Sequence, residues 1–429
     1  MPRMSKNRAI RDDRRYLWHP FTWMPGYLAE EPLVITGAKG IYLRSADGRR
    51  YMDGISSMWL NVHGHNRPEI LKAIARQGKR FAHVSVFGQT HEPAAELARR
   101  LVAIAPKGLN HVFFSDDGAT SVEVALKLAF QFAQIRGETR RTKFLALRHA
   151  YHGDTLGAVS VGDIEHFHQI FQTLLVKCYQ TPSPSDMDRD ACLAALERVM
   201  KAHAKEICAF IVEPIVQGAA GMLVAAPGYL AGARKLCTKY RVPLIADEVF
   251  TGFGRTGRMF ACEHEGVTPD ILCLAKGLTG GTLPLAATLA TDKLYEAFLG
   301  RDRVGCTFFH GHSFTANPLG CAAALASLDL FAKDRTLAHV RRLERILAKA
   351  ATRFAAMPGV SSVRFKGLIF ALDLPKGAGR PACDAAQKQG LLIRPLSDTV
   401  YLVPPLVTTE RELRRMLDIV ESSVQEAAL

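Results

Sequence analysis

The chain has 429 residues, enough for two or three folding units around a large core. Its 48% hydrophobic and 22% charged content are typical of a globular protein, and it contains no apolar run of membrane-spanning length, which argues against a membrane protein. The net charge of +14 is spread along the chain without a basic motif interleaved with aromatic residues. This pattern favours an enzyme that binds anions over a nucleic-acid-binding protein.

The nine cysteines are scattered, their number is odd, and no two of them form a Cys-x-x-Cys pair. Such a pattern favours neither a disulfide framework nor a zinc ribbon, and it predicts a protein of the reducing cytoplasm. The first residues lack the apolar core of a signal peptide. They are rich in arginine and lysine, but Asp12 and Asp13 interrupt the basic run, so a transit peptide stays open as an alternative.

Residues 1–61 have the pattern of irregular structure with short strands, including a hairpin over 40–48 and 50–53 with Asp47-Gly48 at its turn. Helical spacing follows over 68–82 and 92–104. From there, predicted strands and helices alternate: strands over 111–114, 143–147, 208–212 and 242–246, and helices over 121–136, 190–203 and 227–240. This alternation predicts an α/β fold whose mostly parallel central sheet is covered on both faces.

The pattern changes after about residue 330. Helices are predicted over 336–356 and 409–427, and strands within 363–374, 391–393 and 400–403, which is an α+β arrangement. We therefore expect a large domain over residues 62–330 and a smaller α+β domain made of residues 1–61 and 331–429.

Two short apolar runs carry the most informative charges. Residues 242–247 and 271–276 each have the length of a buried strand, and they end in Asp247 and Lys276. Ligands of open α/β sheets bind at the carboxyl ends of strands. A lysine there can bond covalently to an aldehyde cofactor and an aspartate can keep a ring nitrogen protonated, which is the requirement of pyridoxal phosphate chemistry. The alternative is an ion pair with a structural role.

Three further segments have a pattern that suits a cofactor. Residues 115–121 join a strand to a helix through Gly118 and could bind a phosphate at the helix N-terminus, or form an ordinary capped turn. Tyr151 could stack on a planar ring, or fill the core. Residues 252–257 match G-x-G-x-x-G, but no periodic helix follows, so we interpret them as a glycine-rich loop near Asp247 rather than a dinucleotide site. A nicotinamide oxidoreductase is the corresponding alternative.

Paired histidines at 63 and 65, 166 and 168, and 310 and 312 lack a third ligand at metal-binding spacing, so we do not expect a metal site.

Taken together, these segments resemble the class III, fold type I, pyridoxal-phosphate-dependent aminotransferases. The matching stretches run in order through nearly the whole chain: LWHPFT at 17–22, NVHGHN at 61–66, AYHGDT at 150–155, DEV at 247–249, GFGRTG at 252–257, AKG at 275–277 and NPLG at 317–320. Within the class, SMW at 57–59, LLIRP at 391–395 and YLVPP at 401–405 resemble the 7,8-diaminononanoate synthases of biotin synthesis.

The resemblance implies a role for each matching residue. Lys276 would hold the cofactor and move the proton, and Asp247 would pair with the pyridinium nitrogen. Backbone N–H groups of Gly118 and Ala119 would bind the phosphate, Tyr151 would stack on the ring, and Ser313 would contact the phosphate from the partner subunit. Arg394 would clamp the carboxylate of 8-amino-7-oxononanoate, and Phe21 and Trp59 would form walls of the pocket. Asp154 would lie near the donor, and Tyr401 would bind the substrate. A homodimer with shared active sites follows from Ser313.

The chain departs from the family pattern at four places. Phe21 stands where many members that use S-adenosylmethionine have tyrosine, and Met58 replaces the first residue of a frequent Trp-Trp pair. Residues 117–119 read DGA instead of SGS, and residues 312–313 read HS instead of PT. This pattern resembles a branch in which some members take the amino group from lysine. We expect S-adenosylmethionine as donor, with lysine, or a class III ω-amino acid or diamine aminotransferase, as alternatives.

Overall fold

The computed structural model describes residues 4–427. Its N-terminal part contains α1 (Lys6–Tyr16), α2 (Met24–Ala29), β1 (Ile35–Lys39), β2 (Tyr42–Ser45) and β3 (Arg50–Asp53). Strands β2 and β3 pair antiparallel, as the predicted hairpin requires. The expectation of irregular structure before the strands was wrong, because α1 is a regular helix whose start is capped by the Ser5 side chain. None of its residues is buried, and its 11 residues include only two aliphatic ones, Ala9 and Ile10, too few for periodicity to indicate a helix.

The middle of the chain alternates strands and helices, as the sequence predicts. Its elements are α3 (Ser56–Trp59), α4 (Pro68–Arg80), α5 (Glu92–Ile104), β4 (Leu109–Ser115), α6 (Gly118–Ile135), β5 (Lys143–Leu147), α7 (Leu156–Ser160), α8 (Glu165–His168), β6 (Cys178–Thr181), α9 (Arg189–His203), β7 (Ile207–Val212), β8 (Val216–Gln217), β9 (Leu223–Val224), α10 (Tyr229–Tyr240), β10 (Leu244–Asp247), β11 (Ile271–Leu274), β12 (Ala286–Thr291), α11 (Asp292–Ala297), α12 (Arg303–Cys306) and α13 (Pro318–Lys333). Short 3₁₀ turns span Gln169–Leu174, Ala261–Glu265 and Lys276–Thr279.

Seven of these strands form the central sheet, in the order β4-β12-β11-β10-β7-β5-β6. The pairs among β11, β10, β7, β5 and β6 are parallel, and β12 pairs antiparallel with both β11 and β4. The predicted mostly parallel α/β sheet is therefore confirmed. Strand β7 is buried throughout and reads ICAFIV, the continuous apolar run expected of a strand covered on both faces.

The C-terminal part contains α14 (Thr336–Ala355), β13 (Ser362–Lys366), β14 (Ile369–Asp373), α15 (Gly379–Lys388), β15 (Leu391–Leu392), β16 (Thr399–Leu402) and α16 (Glu410–Ala427). Strands β13, β14 and β16 form an antiparallel sheet. Strand β15 pairs parallel with β3, with Leu391 opposite Met52. The two ends of the chain thus share one sheet.

Within residues 4–427, every helix falls short of the combined length and apolarity that a membrane-spanning helix needs.

Candidate active site

Asp247 and Lys276 are brought together by the register of two adjacent strands. Asp247 is the last residue of β10 and lies opposite Cys273 of β11, three positions before Lys276. Both residues line a cavity of about 730 Å³ at the carboxyl ends of the parallel strands. No carboxylate oxygen within residues 4–427 lies within 4.0 Å of the Lys276 Nζ, so the two residues do not form the ion pair that was the alternative interpretation.

The Lys276 amine lies in an enclosed, aromatic environment. Its Nζ is 5.0 Å from the ring centroid of Trp59 and 5.9 Å from that of Phe250. Burial lowers the pKa of Lys276 below its ordinary value. A buried amine with a lowered pKa is neutral more often than a surface lysine, and the neutral amine is the form that attacks a carbonyl.

The Asp247 carboxylate is held from two sides. Its Oδ2 accepts a hydrogen bond from His152 Nδ1 at 2.7 Å, and its Oδ1 accepts one from the Val249 N–H at 3.0 Å. The other nitrogen of His152, Nε2, is buried and has no hydrogen-bond partner among residues 4–427. Both bonds fix the position of the carboxylate, where it could pair with a protonated ring nitrogen in the cavity.

Glu213 is a further ionisable residue of the cavity that the sequence analysis did not single out. Its Oε1 accepts from the Tyr151 N–H at 3.0 Å and its Oε2 from the Gly218 N–H at 2.8 Å. Burial is the largest cause that raises the pKa of Glu213, to about 7, and the neighbouring Asp247 carboxylate raises it further. A sequence signal was present, because Glu213 follows the apolar strand β7 just as Asp247 ends β10.

The N-terminus of α6 forms one end of the cavity. Helix α6 begins at Gly118, and Asp117 caps it by accepting from the Thr120 N–H at 2.9 Å. A β-carbon on Gly118 would lie 2.6 Å from Val249 Cγ1, and one on Gly153 would lie 2.5 Å from Ala119 Cβ. Gly118 and Ala119 line the cavity together with Asp116 and Asp117, and the contact of Gly118 with Val249 leaves no room for a side chain at 118. A helix start of this kind suits phosphate binding by backbone N–H groups.

The predicted residues Tyr151, Asp154 and Trp59 line the same cavity. The Tyr151 hydroxyl donates to Asp154 Oδ2 at 2.9 Å, and burial raises the pKa of Tyr151 above its ordinary value. Trp59 Nε1 donates to the hydroxyl of Tyr401 at 3.2 Å. Tyr401 is buried behind Trp59 and contacts the cavity only through it.

Four predicted site residues lie outside this cavity in the single chain: Tyr401, behind Trp59, and Phe21, Arg394 and Ser313. The Phe21 ring packs edge-on against Phe167, 5.0 Å between centroids, and is 54% exposed. Arg394 lines a neighbouring cavity of about 860 Å³, and its Nη1 lies 3.9 Å from Met58 Sδ. Ser313 is exposed, and its carbonyl accepts from His83 Nε2 at 2.8 Å.

The G-x-G-x-x-G segment does not have the geometry of a dinucleotide site. A 3₁₀ turn, Ala261–Glu265, follows it instead of a long helix. Arg255 within it is fully buried and donates to the carbonyls of Pro404 at 2.7 Å and Leu368 at 3.3 Å. The segment therefore joins the central sheet to the C-terminal part of the chain.

The cavity suits pyridoxal phosphate on three independent observations. Lys276 offers an amine without a hydrogen-bond partner among the described residues, Asp247 lines the cavity as a carboxylate bonded at both oxygens, and the start of α6 lines the cavity at Gly118 and Ala119. Within residues 4–427, no group of three or more His, Cys, Asp or Glu side chains is arranged to hold a metal ion.

Comparison with known proteins gives the same family. The family model for class III aminotransferases matches residues 27–424. A protein of Geobacter sulfurreducens named adenosylmethionine-8-amino-7-oxononanoate aminotransferase is 45% identical over 97% of both chains. The crystal structure of the protein of that name from Methanocaldococcus jannaschii covers 99% of this chain and 100% of its own, with a TM-score of 0.95 and 39% identity.

A second kind of transaminase has the same fold. An (S)-enantioselective ω-transaminase from Thermomicrobium roseum aligns over 99% of both chains with a TM-score of 0.95, at 30% identity. The family model spans residues 27–424, and the Geobacter relative is 45% identical over nearly the full length. The chain belongs to the class III aminotransferases, whose cofactor is pyridoxal phosphate.

Proposed function

We propose that this aminotransferase converts 8-amino-7-oxononanoate to 7,8-diaminononanoate in biotin synthesis, with S-adenosylmethionine as the amino donor. The observation that carries the proposal is sequence identity over the full length: 45% to a relative of that name, against 30% to an ω-transaminase of the same fold. Both kinds of structure superpose equally well, with a TM-score of 0.95, so the fold does not distinguish them and the pocket residues must.

Lys276 and Asp247 are the proposed catalytic residues, together with Tyr151. Pyridoxal phosphate, when bound, supplies an electron sink that stabilises the negative charge left on the donor carbon after a proton is removed. Lys276 would hold the cofactor, and its amine, once free, would move a proton between the donor carbon and C4′ of the cofactor. Asp247, supported by His152, would pair with the ring nitrogen. Tyr151 would stack on the ring, and the N–H groups of Gly118 and Ala119 would bind the phosphate.

The carboxylate end of the substrate is bound on the side of Trp59 away from Lys276, where Arg394 lies. Arg394 has no carboxylate within 4.0 Å among residues 4–427, so its planar guanidinium is available for a bidentate bond to the carboxylate of 8-amino-7-oxononanoate. Trp59, supported by Tyr401, and Phe21 form apolar walls for the aliphatic chain. Asp154 lies beside the Tyr151 hydroxyl, where a positively charged donor amine would find a carboxylate.

The assembly we propose is a homodimer with shared active sites in the cytoplasm. Support comes from large apolar side chains that the single chain leaves exposed, including Trp18 at 85%, Phe309 at 70% and Phe314 at 58%. Phe309 and Phe314 lie close to Ser313 in the sequence, and Ser313 would reach the partner's phosphate site. Within each subunit we propose a large domain of residues 62–330 and a small domain of 1–61 with 331–429, in keeping with the pairing of β15 and β3.

The test is an end-point assay for 7,8-diaminononanoate. Purified protein with pyridoxal phosphate and 8-amino-7-oxononanoate receives S-adenosylmethionine in one reaction and lysine in another. We expect product with S-adenosylmethionine; product with lysine alone would replace the donor, and no product from a folded protein that retains its cofactor would overturn the acceptor.

Lys276→Ala is the matched inactive variant. Because it removes the group that holds the cofactor and moves the proton, we expect turnover to fall by at least about a thousandfold, together with loss of the cofactor's characteristic absorbance in the visible range. Lys293→Ala, at an exposed position of α11, should keep both. Retention of turnover by Lys276→Ala would refute its role.

Lysine is the second candidate donor, and one observation favours it. Phe21 packs against Phe167, whose ring lies 6.3 Å from that of Tyr151. Position 21 thus presents a phenyl ring toward the cavity, without the hydroxyl that many members using S-adenosylmethionine have there. The two-donor assay decides between the candidates directly.

A further inference from the structure

Four consecutive residues beside the cavity adopt the left-handed backbone conformation. In α3 the φ angles are 51° at Ser56, 45° at Ser57, 74° at Met58 and 71° at Trp59. None of the four is glycine, and a β-carbon makes this conformation unfavourable at each of them. A turn of this kind persists only where the surroundings hold it, and such turns occur mostly at functional sites.

The Asp53 carboxylate holds the turn from one side. Its Oδ1 accepts from the N–H groups of Ile55 at 3.2 Å and Ser57 at 3.0 Å, and its Oδ2 accepts from the Ser57 hydroxyl at 2.9 Å. His65 Nε2 lies 2.9 Å from the same Oδ2. The amide of Asn61 lies 2.9 Å from His65 Nδ1, which fixes Nε2 as the nitrogen that donates to Asp53.

Asp53 is itself buried, and burial disfavours a charged carboxylate. Burial would raise the pKa of Asp53, but the hydrogen bonds from His65 and Ser57 outweigh it, and the pKa lies below its ordinary value. All of the strong acceptor positions of the carboxylate are directed to the turn or to His65, and none faces the cavity.

The opposite side of the turn is held by the C-terminal part of the chain. The Ser56 hydroxyl donates to the carbonyl of Val403 at 2.6 Å and accepts from Arg255 Nη2 at 3.3 Å. Trp59 Nε1 donates to Tyr401 at 3.2 Å. Hydrogen bonds to the C-terminal part therefore hold both the first residue of the turn, Ser56, and the last, Trp59.

The turn places Trp59 in the wall of the Lys276 cavity and Met58 against Arg394. The ring centroid of Trp59 lies 5.0 Å from the Lys276 Nζ and 4.7 Å from that of Phe250. Met58, the preceding residue, contacts Arg394. Only the left-handed turn directs these neighbouring side chains to the amine on one side and to the guanidinium on the other.

We propose that Asp53 is a positioning residue for the substrate pocket: its carboxylate holds the left-handed turn 56–59 that places Trp59 beside Lys276 and Met58 beside Arg394. The part that concerns substrate rests on the proposed function. The part that concerns Trp59 does not, because the position of an indole ring can be measured without turnover.

The experiment compares Asp53→Asn with Asp47→Asn in the holoenzyme labelled with 5-fluorotryptophan. The chain has three tryptophans, so the ¹⁹F spectrum has three resonances, which Trp18→Phe and Trp23→Phe assign. Asp53→Asn keeps the size of the side chain but replaces one acceptor oxygen with a donor that opposes His65. Asp47 is a matched control, because it is exposed and accepts from Ser45 and Arg49 in the hairpin turn.

In Asp53→Asn we expect the Trp59 resonance to move and to gain a solvent isotope shift, since the ring loses its enclosed position. We also expect the KM for 8-amino-7-oxononanoate to rise about ten- to hundredfold, as for other small displacements of a binding surface. Asp47→Asn should show neither change. A Trp59 resonance in Asp53→Asn identical to that of the parent would overturn the proposal, whether or not the wild type makes 7,8-diaminononanoate.

Two further variants separate positioning from general stability. Ser57→Ala removes only the hydroxyl bond to Asp53 and should move the Trp59 resonance in the same direction by less; if Asp53→Asn does not fold, an unmoved resonance in Ser57→Ala overturns the proposal. Ser57→Gly combined with Asp53→Asn removes the steric cost of φ 45° and should restore part of the parent resonance and KM. Ser57→Gly alone is the control, because a general gain in stability from glycine would appear in it as well.

Discussion

At the scale of single residues, the site depends on where each of its charges is held. Asp247 and Glu213 follow neighbouring strands of the sheet, and Lys276 follows the next strand on the other side of Asp247. Only Asp247 has a side-chain donor, His152, whereas Glu213 is held by backbone N–H groups alone. The imidazole thus marks which of the two carboxyl groups is supported as the partner of a cationic ring.

The raised pKa of Glu213 predicts that the free energy of unfolding of the cofactor-free protein depends on pH. Because the folded pKa of about 7 exceeds the ordinary value of this carboxyl group, the folded state binds its proton more tightly than the unfolded state. Stability should fall as pH rises from about 4.5 to 7, by on the order of 3 kcal/mol at most. Thermal unfolding followed from pH 4.5 to 8 should show a shallower fall in Glu213→Gln.

The control for this prediction is Glu296→Gln, at an exposed position of α11, which should keep the parent slope. Glu248 is also buried, and burial raises its pKa to about 7, but it is present in all three proteins and cancels in the comparison. A slope in Glu213→Gln equal to that of the parent would mean that Glu213 is ionised in the folded protein well below pH 7.

Arg394→Ala should act on substrate binding. A bond to a charged partner contributes about 1.5–3 kcal/mol, so the KM for 8-amino-7-oxononanoate should rise about ten- to hundredfold with kcat little changed. Steady-state kinetics at saturating donor measure this. Arg380→Ala, an exposed arginine of α15, should leave the KM as in the parent. An unchanged KM in Arg394→Ala would assign the carboxylate to another residue.

At the scale of elements, the phosphate end of the site is made by the close approach of α6 to the segment after β10. Gly118→Ala places a β-carbon 2.6 Å from Val249 Cγ1, which forces the helix N-terminus away from its position. We expect pyridoxal phosphate to be retained at least about tenfold less tightly, since a displacement of this size costs most of a well-placed set of hydrogen bonds. Equilibrium dialysis measures the retained cofactor.

Two variants serve as references for Gly118→Ala. Gly78→Ala in α4 meets no atom nearer than Leu319 Cδ2 at 3.8 Å and should bind cofactor as the parent does. Val249→Ala combined with Gly118→Ala removes the clash and should restore part of the affinity. Parent-like affinity in Gly118→Ala alone would show that the start of α6 does not bind the phosphate.

The elements that the sequence predicts well are those with continuous or periodic apolar residues. Strand β10 and helix α6 were predicted within a few residues, because their burial requires an apolar composition that is visible in the sequence. Strand β12 reads AATLAT and lacks the bulky apolar run of its neighbours, so it was missed, as was the exposed helix α1. The chemistry at Asp247 and Lys276 followed from strand ends, and the possible roles of Gly118 and Tyr151 from local pattern. The family resemblance supplied the roles of Ala119, Ser313, Arg394, Phe21, Trp59, Asp154 and Tyr401.

What the sequence could not predict depends on contacts between distant segments. The left-handed turn 56–59 is held by Asp53 but also by Val403, 347 residues away from Ser56. No local pattern indicates such a backbone, since serine, methionine and tryptophan have no preference for positive φ. The buried role of Arg255 is similarly fixed by the carbonyls of Leu368 and Pro404 and not by the glycine pattern around it.

At the scale of the whole molecule, the proposed shared site predicts complementation between inactive subunits. Lys276→Ala lacks the catalytic amine, and Ser313→Asp would place a negative charge at the partner's phosphate. Each homodimer should have activity near background. Mixed dimers contain one site with both native residues, so mixing after reversible dissociation, or co-expression with two tags, should restore activity toward half of the parent value per mixed dimer.

The negative control pairs Lys276→Ala with Asp247→Ala, since both residues line the cavity of their own subunit. Mixed dimers of this pair carry one lesion in each site and should stay near background. Mixed dimers of Lys276→Ala with the parent contain one native site and calibrate the recovery. A pair of Lys276→Ala with Ser313→Asp that recovers no activity, while the calibrating pair does, would place Ser313 in the site of its own subunit.

The joining of both ends of the chain in one sheet also has a consequence for when the site is completed. Ser56 is translated early, but its bond to Val403 must wait for a segment 347 residues later. At about 5–20 residues per second, this is a delay of roughly 20 to 70 seconds on the ribosome. During that time the strands that carry Asp247 and Lys276 emerge and can begin to pair, whereas the wall formed by Trp59 and Tyr401 does not yet exist. The nascent chain thus acquires its cofactor-binding strands before it acquires the surface that selects a substrate.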